Sequence, residues 1–458
     1  MWAYDLRSSK DFALIVVSIA TFTDVFVYGL LVPVTPFALE ERIGVPKSDI
    51  QFWNSMLLGV LGGSMIAAAL VFGAVSDALG RARRWPFICG LVLLGAATIL
   101  FMLVKSLAAM IIARAFQGFA TAVCFTLGYA IVSDHFTQAG ELGWALGFTT
   151  TSLSLGWFLG PIVGGIIYEH AGYYAVFAPA VLLVLIEIVL RLLLIDPIRT
   201  PSIASETFDE TAAVFNNVAE TTPLLGKAPH PSVQRNAMVV LMQSPRFLMS
   251  MFGFCTMNSL MVGFDGVLPV YLKELFAFNS MQVSLTFIAL TVPSLLSPFF
   301  GNLSDRFGTK WPAVAGLVMG VPGLLLMRLV TENTQKDYII LITLLVWIGL
   351  SFAVALPAFS AEVALVVESI EERNPGIFGP DGAAAQAYGL TNAGLGIGFA
   401  IGPIGAGWVR VQYGWPVMVT ALAILLAVAV PIVLPVTGGP LFAKREEDLE
   451  VEGAEQGL

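Results

Sequence analysis

Two charged residues lie deep inside long apolar stretches of this chain. Asp24 lies in the run 12–33, roughly 18 Å along a helix from Phe12, and Arg114 lies in the run 108–132. A charge in the middle of such a run indicates function by default, because it needs a partner or a transported ion. Asp24 could bind a coupled proton or a substrate cation, and we expect Tyr28, one turn on, to share its face. The nearest candidate partners for Arg114 are Asp24 and a carbonyl group of the same run as Asp24.

The chain contains twelve long apolar stretches, and two of them hold Asp24 and Arg114. Hydrophobic residues make up 57% of the 458-residue chain and charged residues 12%, whereas soluble domains carry about a quarter charged residues. A membrane span needs roughly 20 mostly apolar residues, and in lipid it must be a helix because its backbone has no water to bond. The sequence therefore predicts an all-α integral membrane protein of twelve transmembrane helices in two six-helix bundles. The spans are 12–33, 51–72, 85–104, 108–132, 143–168, 173–194, 247–271, 281–300, 312–330, 338–366, 383–409 and 415–435.

A polar motif between spans 2 and 3 returns between spans 8 and 9. Residues 73–86 read GAVSDALGRARRWP, and residues 301–312 read GNLSDRFGTKWP. A repeat at about half the chain length indicates two copies of one unit, so we expect the two bundles to be pseudo-symmetric. We call both copies the latch, because an acid facing arginines or a helix N-terminus makes a contact that can break and re-form. Its residues are Gly73, Asp77, Gly80, Arg81, Arg83 and Arg84 in the first copy and Gly301, Asp305, Gly308 and Lys310 in the second.

Lysine and arginine in the loops set the expected orientation. With the N-terminus inside, the inner segments hold fifteen of them and the outer segments seven. Both termini and both latches are therefore predicted to be cytoplasmic. The predicted domains are an N-terminal bundle at 1–194, a largely disordered cytoplasmic linker at 195–246, a C-terminal bundle at 247–435 and an acidic cytoplasmic tail at 436–458.

The linker holds a short motif that bears on location. Glu220, Leu224 and Leu225 in the sequence ETTPLL resemble an acidic dileucine sorting signal. Such a signal favours a vacuolar or vesicular membrane. We expect the plasma membrane, with the vacuolar or vesicular membrane as the alternative.

Three motifs together resemble the major facilitator superfamily. The first latch is similar to that family's loop between spans 2 and 3, and RAFQG at 114–118, with Arg114 and Gln117, resembles its RxxQG motif. Span 5 fits the spacing G-x8-G-x3-GP-x2-GG, which resembles the antiporter motif of twelve-span drug:proton exporters. Small residues at this spacing let a helix approach a partner closely, and proline bends it. The motif consists of Gly147, Gly156, Gly160, Pro161, Gly164 and Gly165.

Asp24 gives a finer resemblance, to the span-1 acid of vesicular amine transporters and their fungal relatives. Those transporters also have a lysine in span 2 and acids in spans 10 and 11. Here Leu61, Phe352 and Asn392 stand at those positions. The resemblance therefore does not carry amine specificity, and it favours a branch that exports more varied, less cationic molecules.

Other polar residues inside the spans are weaker candidates. Glu187 and Arg191, one turn apart near the inner end of span 6, are predicted to form an ion pair whose ends reach toward water. The residues that could line a cavity with polar groups are Tyr28, Gln117, Asn258, Asp265, Glu362 and Asn392.

These patterns predict a secondary active transporter that exports a small organic molecule, such as a drug, toxin or secondary metabolite, by proton antiport with alternating access. The alternatives are proton-coupled uptake of a nutrient and a non-transporting membrane sensor.

An enzyme is disfavoured, since no nucleophile–base pair or metal-ligand cluster is visible and Cys89, Cys124 and Cys255 follow no metal or disulfide spacing. We expect a monomer in the bilayer that needs no metal or cofactor. The net charge of −9 gives no reason to expect nucleic acid.

The orientation can be tested with an epitope tag in the 200–235 segment. A tag there should be reached by antibody only after the cells are permeabilised, because the lysine and arginine bias places this segment inside. A tag in the segment between spans 1 and 2 is the control and should be labelled in intact cells. Labelling of the 200–235 tag in intact cells would overturn the predicted orientation.

Overall fold

The chain is helical throughout the part that its structure describes. The computed structural model describes residues 2–79, 84–136, 139–195, 237–374, 377–378, 384–435 and 437. Within these residues, twelve helices are long and apolar enough to cross a membrane, judged by length and composition. The predicted all-α fold with twelve spans is confirmed, and each span begins and ends within several residues of its predicted limits.

The spans alternate in direction, so each crosses back from the end that the previous one reached. We call the end at which Lys10 begins span 1 the near end, and the opposite end the far end. Short helices at Trp2–Arg7, Thr35–Ala38 and Ala237–Met242 lie outside the spans. The spans are, in order, Lys10–Leu31, Ile50–Leu79, Arg84–Leu103, Leu107–His135, Ala139–Ala171, Tyr173–Leu193, Pro245–Phe276, Ser280–Thr291 with Ser297–Phe307, Lys310–Met327, Gln335–Arg373, Ala384–Tyr413 and Trp415–Val433.

Local sequence explains where several spans begin and break. The hydroxyl groups of Ser9 and Ser106 accept hydrogen bonds from backbone N–H groups three residues on, at 3.2 and 3.4 Å, and so cap spans 1 and 4. Span 8 passes through a 3-10 turn at Val292–Leu296, where Pro293 has no N–H to donate. Gly308, in the second latch, has φ +85° between spans 8 and 9, a conformation that glycine adopts without strain.

Apolar side chains cover the outside of the bundle. Leu182 of span 6, Val318 of span 9 and Ile424 of span 12 are large apolar residues that are 59%, 50% and 57% exposed. Extended apolar surfaces of this kind are rare on soluble monomers. They fit a protein whose outer helix faces contact lipid.

The two six-helix halves meet along two pairs of spans, span 2 with span 11 and span 5 with span 8. Gly62 of span 2 lies so close to span 11 that a Cβ atom there would lie 2.6 Å from the Gly396 carbonyl oxygen. In span 11, a Cβ atom on Gly396 would lie 3.0 Å from the Gly62 carbonyl oxygen. Small residues on both sides therefore bring the two backbones together.

Span 5 uses its glycines to pack on span 1. A Cβ atom on Gly156 would lie 2.9 Å from the Phe22 carbonyl oxygen, and one on Gly160 would lie 2.8 Å from the Cα of Gly29. Gly164 meets the backbone of span 1 in the same way, and Gly165 instead faces span 8. Gly147, the first glycine of the motif, differs from the others because it is exposed and its Cβ position is open. The tight-packing account therefore holds for the later glycines and is wrong for Gly147.

This difference supplies a matched pair of substitutions. Gly160→Leu forces a side chain into the backbone of span 1, and such overpacking costs about 1–3 kcal/mol or more. We expect Gly160→Leu to lower the melting temperature of the purified protein in detergent. The melting temperature of Gly147→Leu should stay close to that of the wild type. Equal melting temperatures for the two variants would contradict the packing described here.

Candidate functional site

A polar stripe runs along one face of span 4 and contacts spans 1 and 3. Arg114, Gln117 and Thr121 are spaced by three and four residues, so they lie one above another on the helix. The Gln117 amide nitrogen lies 3.5 Å from the Thr98 hydroxyl of span 3, and the Thr121 hydroxyl donates to Asp24 of span 1.

Asp24 contacts the stripe at its Thr121 end. Its side chain is 5% exposed, and its Oδ1 accepts a hydrogen bond of 2.8 Å from the Thr121 hydroxyl. Among the residues that the structure describes, no lysine or arginine lies within ion-pair distance of Asp24. Sequence reasoning missed Thr121, although its position one turn after Gln117 on the same helix face was a usable signal.

Arg114 is buried farther toward the far end. It is 1% exposed, and its guanidinium group lies 4.8 Å from the ring centroid of Phe101. Its Nη1 donates to Gln117 at 3.2 Å and its Nη2 donates to the Thr35 hydroxyl at 3.3 Å, while its Nε has no hydrogen-bond partner. The expected pairing with Asp24 or a span-1 carbonyl is wrong. Arg114 precedes Thr121 by seven residues, which separates it from Asp24 by about 10 Å along the helix.

Glu187 and Arg191 of span 6 are both fully buried, so the predicted ion pair at the water boundary is wrong. The Arg191 guanidinium lies 5.5 Å from the ring centroid of Phe87. The two carboxyl oxygens of Glu187 accept no hydrogen bond. Span 6 is turned so that this polar face packs into the N-terminal half, and hydropathy alone does not reveal that rotation.

Several predicted cavity residues lie at the interface between the halves. The Tyr28 hydroxyl of span 1 donates to Asp265 of span 7 at 2.9 Å, and Asn392 of span 11 donates to the Thr126 hydroxyl of span 4 at 3.0 Å. Asn258 is different, because its amide group donates to the Phe254 carbonyl of its own helix at 2.9 Å. Tyr28, Asp265 and Asn392 therefore join the two halves, and Asn258 does not.

Aromatic rings surround the bond between Tyr28 and Asp265. The Tyr28 ring packs edge-on against Trp157 of span 5, with centroids 5.0 Å apart, and against Phe399 of span 11, with centroids 5.1 Å apart. Nearer to the near end, Tyr129 of span 4 stacks on Tyr388 of span 11 at 5.2 Å. The middle of the interface is thus aromatic, with a few directed polar contacts.

Charged residues join the halves at the far end. Lys273 of span 7 donates to Glu40, which follows span 1, and Arg410 of span 11 donates to Gln51 of span 2 and to Glu274 of span 7. The Lys273 ammonium group holds the pKa of the Glu40 carboxyl below its ordinary value. These contacts close the interface between the halves at this end.

Glu362 of span 10 belongs to a separate cluster at the near end. It is fully buried, its Oε1 accepts a 2.6 Å hydrogen bond from the partly exposed Arg246 of span 7, and its Oε2 accepts a hydrogen bond from Thr309. Thr309 lies within the second latch. Glu362 was predicted as a cavity residue, and the correction is that it ties span 10 to span 7 and to the second latch inside the C-terminal half.

Much of the latch itself lies outside the described residues. The structure does not describe Gly80, Arg81 and Arg83. It describes only the helical backbone, and not the surroundings, of Gly73, Asp77 and Asp305. Arg84 begins span 3, and its Nη2 donates to the Leu192 carbonyl at 2.8 Å. Lys310 begins span 9, and a Cβ atom on Gly301 would meet Pro357 only at an ordinary 3.8 Å. The linker motif at Glu220, Leu224 and Leu225 and nearly all of the tail also lie outside the described residues.

The near-end cluster gives a test of stability. Arg246→Met removes a cation from the buried Glu362 carboxylate, and breaking such a pair costs about 3 kcal/mol. Lys10→Met is the control, because its pair with Glu141 has side chains 48% and 43% exposed and such pairs contribute at most about 1 kcal/mol. Unfolding in one detergent should therefore show a clearly larger loss for Arg246→Met. Equal losses would contradict a structural role for the Glu362 cluster.

Comparison with known proteins gives matches over most of the chain. Residues 17–375 and 285–449 match the family model of the Major Facilitator Superfamily. The chain is 31% identical over 451 residues to the MFS-type transporter ppzB of Metarhizium rileyi (strain RCEF 4871), which covers 91% of this chain and 92% of that protein. It is 22% identical over 348 residues to the synaptic vesicular amine transporter of Mus musculus, covering 76% of this chain and 59% of that protein.

A solved structure has the same overall architecture. The crystal structure of the human organic anion transporter MFSD10 (TETRAN) superposes with a TM-score of 0.65 at 19% sequence identity, covering 93% of this chain and 99% of that chain. At this identity the likeness concerns the fold alone.

Proposed function

The chain belongs to the major facilitator superfamily, and we propose that it exports a small organic molecule in exchange for protons. In this proposal the two six-helix halves rock about a central site, which opens to one side of the membrane at a time. The observation that carries the proposal is Asp24, a carboxyl group buried within span 1 with one hydroxyl as its hydrogen-bond donor and no cation paired with it among the described residues.

The chemistry of Asp24 suits a coupling site. A buried carboxylate without a cation is strongly unfavourable, so the site is accommodated best when a proton or a bound cation neutralises it. The Thr121 hydroxyl gives the carboxyl group one fixed bond in either state, because a hydroxyl can both donate and accept. Asp24 can thus gain and lose a proton without leaving its position.

Tyr28 offers a way to couple that proton to movement of the halves. It lies one turn after Asp24 on span 1, and its hydroxyl crosses the interface to Asp265. A change of charge at Asp24 acts on this neighbouring bond, and the bond is one of those that must break when the halves separate at the centre. We therefore place Asp265 in the coupling path as the residue that responds to Asp24.

The substrate we propose is an apolar or weakly polar organic molecule. Tyr28, Trp157 and Phe399 form an aromatic group at the central interface, which favours ring-containing ligands. The charged positions of vesicular amine transporters are Leu61, Phe352 and Asn392 here, so these positions offer no charge to a cationic amine. An aromatic site with few charges fits a broad range of substrates better than a dedicated amine site.

We further propose that the near end faces the cytoplasm, that the protein works as a monomer and that it resides in the plasma membrane. The lysine and arginine bias supports the orientation. The glycine motif in span 5 supports export over uptake by its resemblance to drug:proton exporters.

The decisive variant is Asp24→Asn in inside-out vesicles that carry a pH gradient. Accumulation of fluorescent dyes, with cationic, neutral and anionic dyes compared, should fall to the level of empty vesicles for every dye that the wild type transports. Downhill dye exchange should survive, because asparagine resembles the protonated acid, and Asp24→Glu should keep part of the activity. Asp49→Asn, at an exposed acid, is the control and should transport normally.

Two other outcomes would change the proposal. Loss of cationic dyes alone in Asp24→Asn would show that Asp24 binds the substrate cation and not the proton. Normal pH-driven transport by Asp24→Asn would reject both roles and would leave Asp265 as the coupling acid. Dye movement only in right-side-out vesicles would show uptake in place of export.

A further inference from the structure

Glu187 of span 6 is a buried acid whose carboxyl oxygens have no hydrogen-bond partner among the described residues. Its side chain is fully buried, and neither of its carboxyl oxygens accepts a hydrogen bond. The Thr23 hydroxyl of span 1 faces it without reaching hydrogen-bond geometry. Buried polar groups are nearly always hydrogen-bonded, so a buried carboxyl group without a hydrogen bond indicates a role other than packing.

The charged and titratable groups around Glu187 come from the neighbouring spans. Span 6 packs against span 1, and Ile188, next to Glu187, packs against the buried cluster that holds Ala20 of span 1 and Cys124 of span 4. Asp24 lies one turn after Ala20 on span 1, so it lies near the buried face that carries Glu187. Arg191, one turn on, is directed over the Phe87 ring of span 3 and makes no ion pair with Glu187.

Three other charged groups of the adjoining spans have partners of their own. Arg84 at the start of span 3 donates to the Leu192 carbonyl, and Glu141 of span 5 pairs with Lys10 at the near end. Asp24 is thus the charged group that acts on Glu187 from the neighbouring described residues.

We infer that Glu187 is a second proton-binding residue, which forms one coupled pair with Asp24. The inference rests on the proposed function, in which Asp24 binds the coupled proton. Two carboxyl groups in a dry interior do not both ionise readily, because each negative charge disfavours the other. The charge on Asp24 therefore depends on whether Glu187 holds a proton.

The position of Glu187 along span 6 sets the order in which protons from the near end reach the two acids. Glu187 is six residues from Leu193, the near end of span 6, which is about 9 Å along the helix, whereas Asp24 lies deeper. Protons that enter from the near end reach Glu187 before Asp24. Stability alone does not favour an acid here, since apolar residues of similar size are generally accommodated better than buried charges.

Infrared spectroscopy of the purified protein tests the pair without a known substrate. Protonated carboxyl groups have a carbonyl stretch distinct from that of carboxylates, and its intensity can be followed as pH is varied. Glu187→Gln should remove one pH-dependent carbonyl band and should move the midpoint of the Asp24 band by about one pH unit or more. Asp24→Asn should remove the Asp24 band and shift the midpoint of the Glu187 band that remains. The test therefore stays available if one of the two variants folds poorly.

The control is Glu368→Gln, at an exposed acid near the near end of span 10, which should change neither band. Glu187→Asp should restore a titrating band, and Glu187→Leu should not, although leucine fills the space. If Glu187→Gln removes no band, or leaves the Asp24 midpoint unmoved, the coupled pair is rejected.

Transport measurements separate this inference from the proposed function. In vesicles with a pH gradient, Glu187→Gln should shift the pH at which dye export is half-maximal by about one unit, with Glu368→Gln unchanged. If Asp24→Asn exports dyes normally while the two infrared bands remain coupled, the pair exists and the proposed role of Asp24 in export is wrong. If Asp24→Asn abolishes export and Glu187→Gln shifts neither profile nor band, the export proposal stands and the pair is wrong.

Discussion

A charged side chain inside this protein can be stabilised only by other groups of the protein, because the surrounding lipid offers no water. The described residues meet this constraint in two ways, and two acids meet it in neither. Arg114 lies over an aromatic ring and donates to neutral oxygens. Glu362 has a full ion pair with Arg246. Asp24 and Glu187 have no such cation partner among the described residues, and for this reason we propose that a proton neutralises them.

The same constraint requires that helices approach one another closely, since polar contacts reach only a few ångströms. Gly156 and Gly160 bring span 5 against the backbone of span 1, which fixes the helix that carries Asp24 and Tyr28. Span 4 then presents Thr121 to Asp24 at 2.8 Å. The glycines of the antiporter-like motif therefore act on the acid indirectly, by holding span 1 in the position at which its polar groups meet their partners.

The number, limits and helical nature of the spans could be predicted because lipid allows few alternatives to an apolar helix. The later glycines of span 5 could also be assigned to packing, since their spacing places them on one helix face. The rotation of each helix about its axis could not be predicted from hydropathy. Glu187, Arg191 and Glu362 were misplaced for this reason, and the partners of Arg114 were wrong because side-chain reach depends on how spans 1 and 4 are staggered.

Alternating access requires that some contacts between the halves break easily while each half stays intact, and the charged contacts are distributed in that way. At the far end, the side chains of Glu40 and Lys273 are 25% and 21% exposed, and Lys47, which also faces Glu40, is 86% exposed. Ion pairs that water reaches contribute about 0–1 kcal/mol, so breaking the pair between Glu40 and Lys273 costs little. The Glu362 pair joins spans within one half, its carboxylate is fully buried, and breaking it would cost several times more. In an alternating-access cycle the far-end pairs would therefore break before the pair that holds the C-terminal half together.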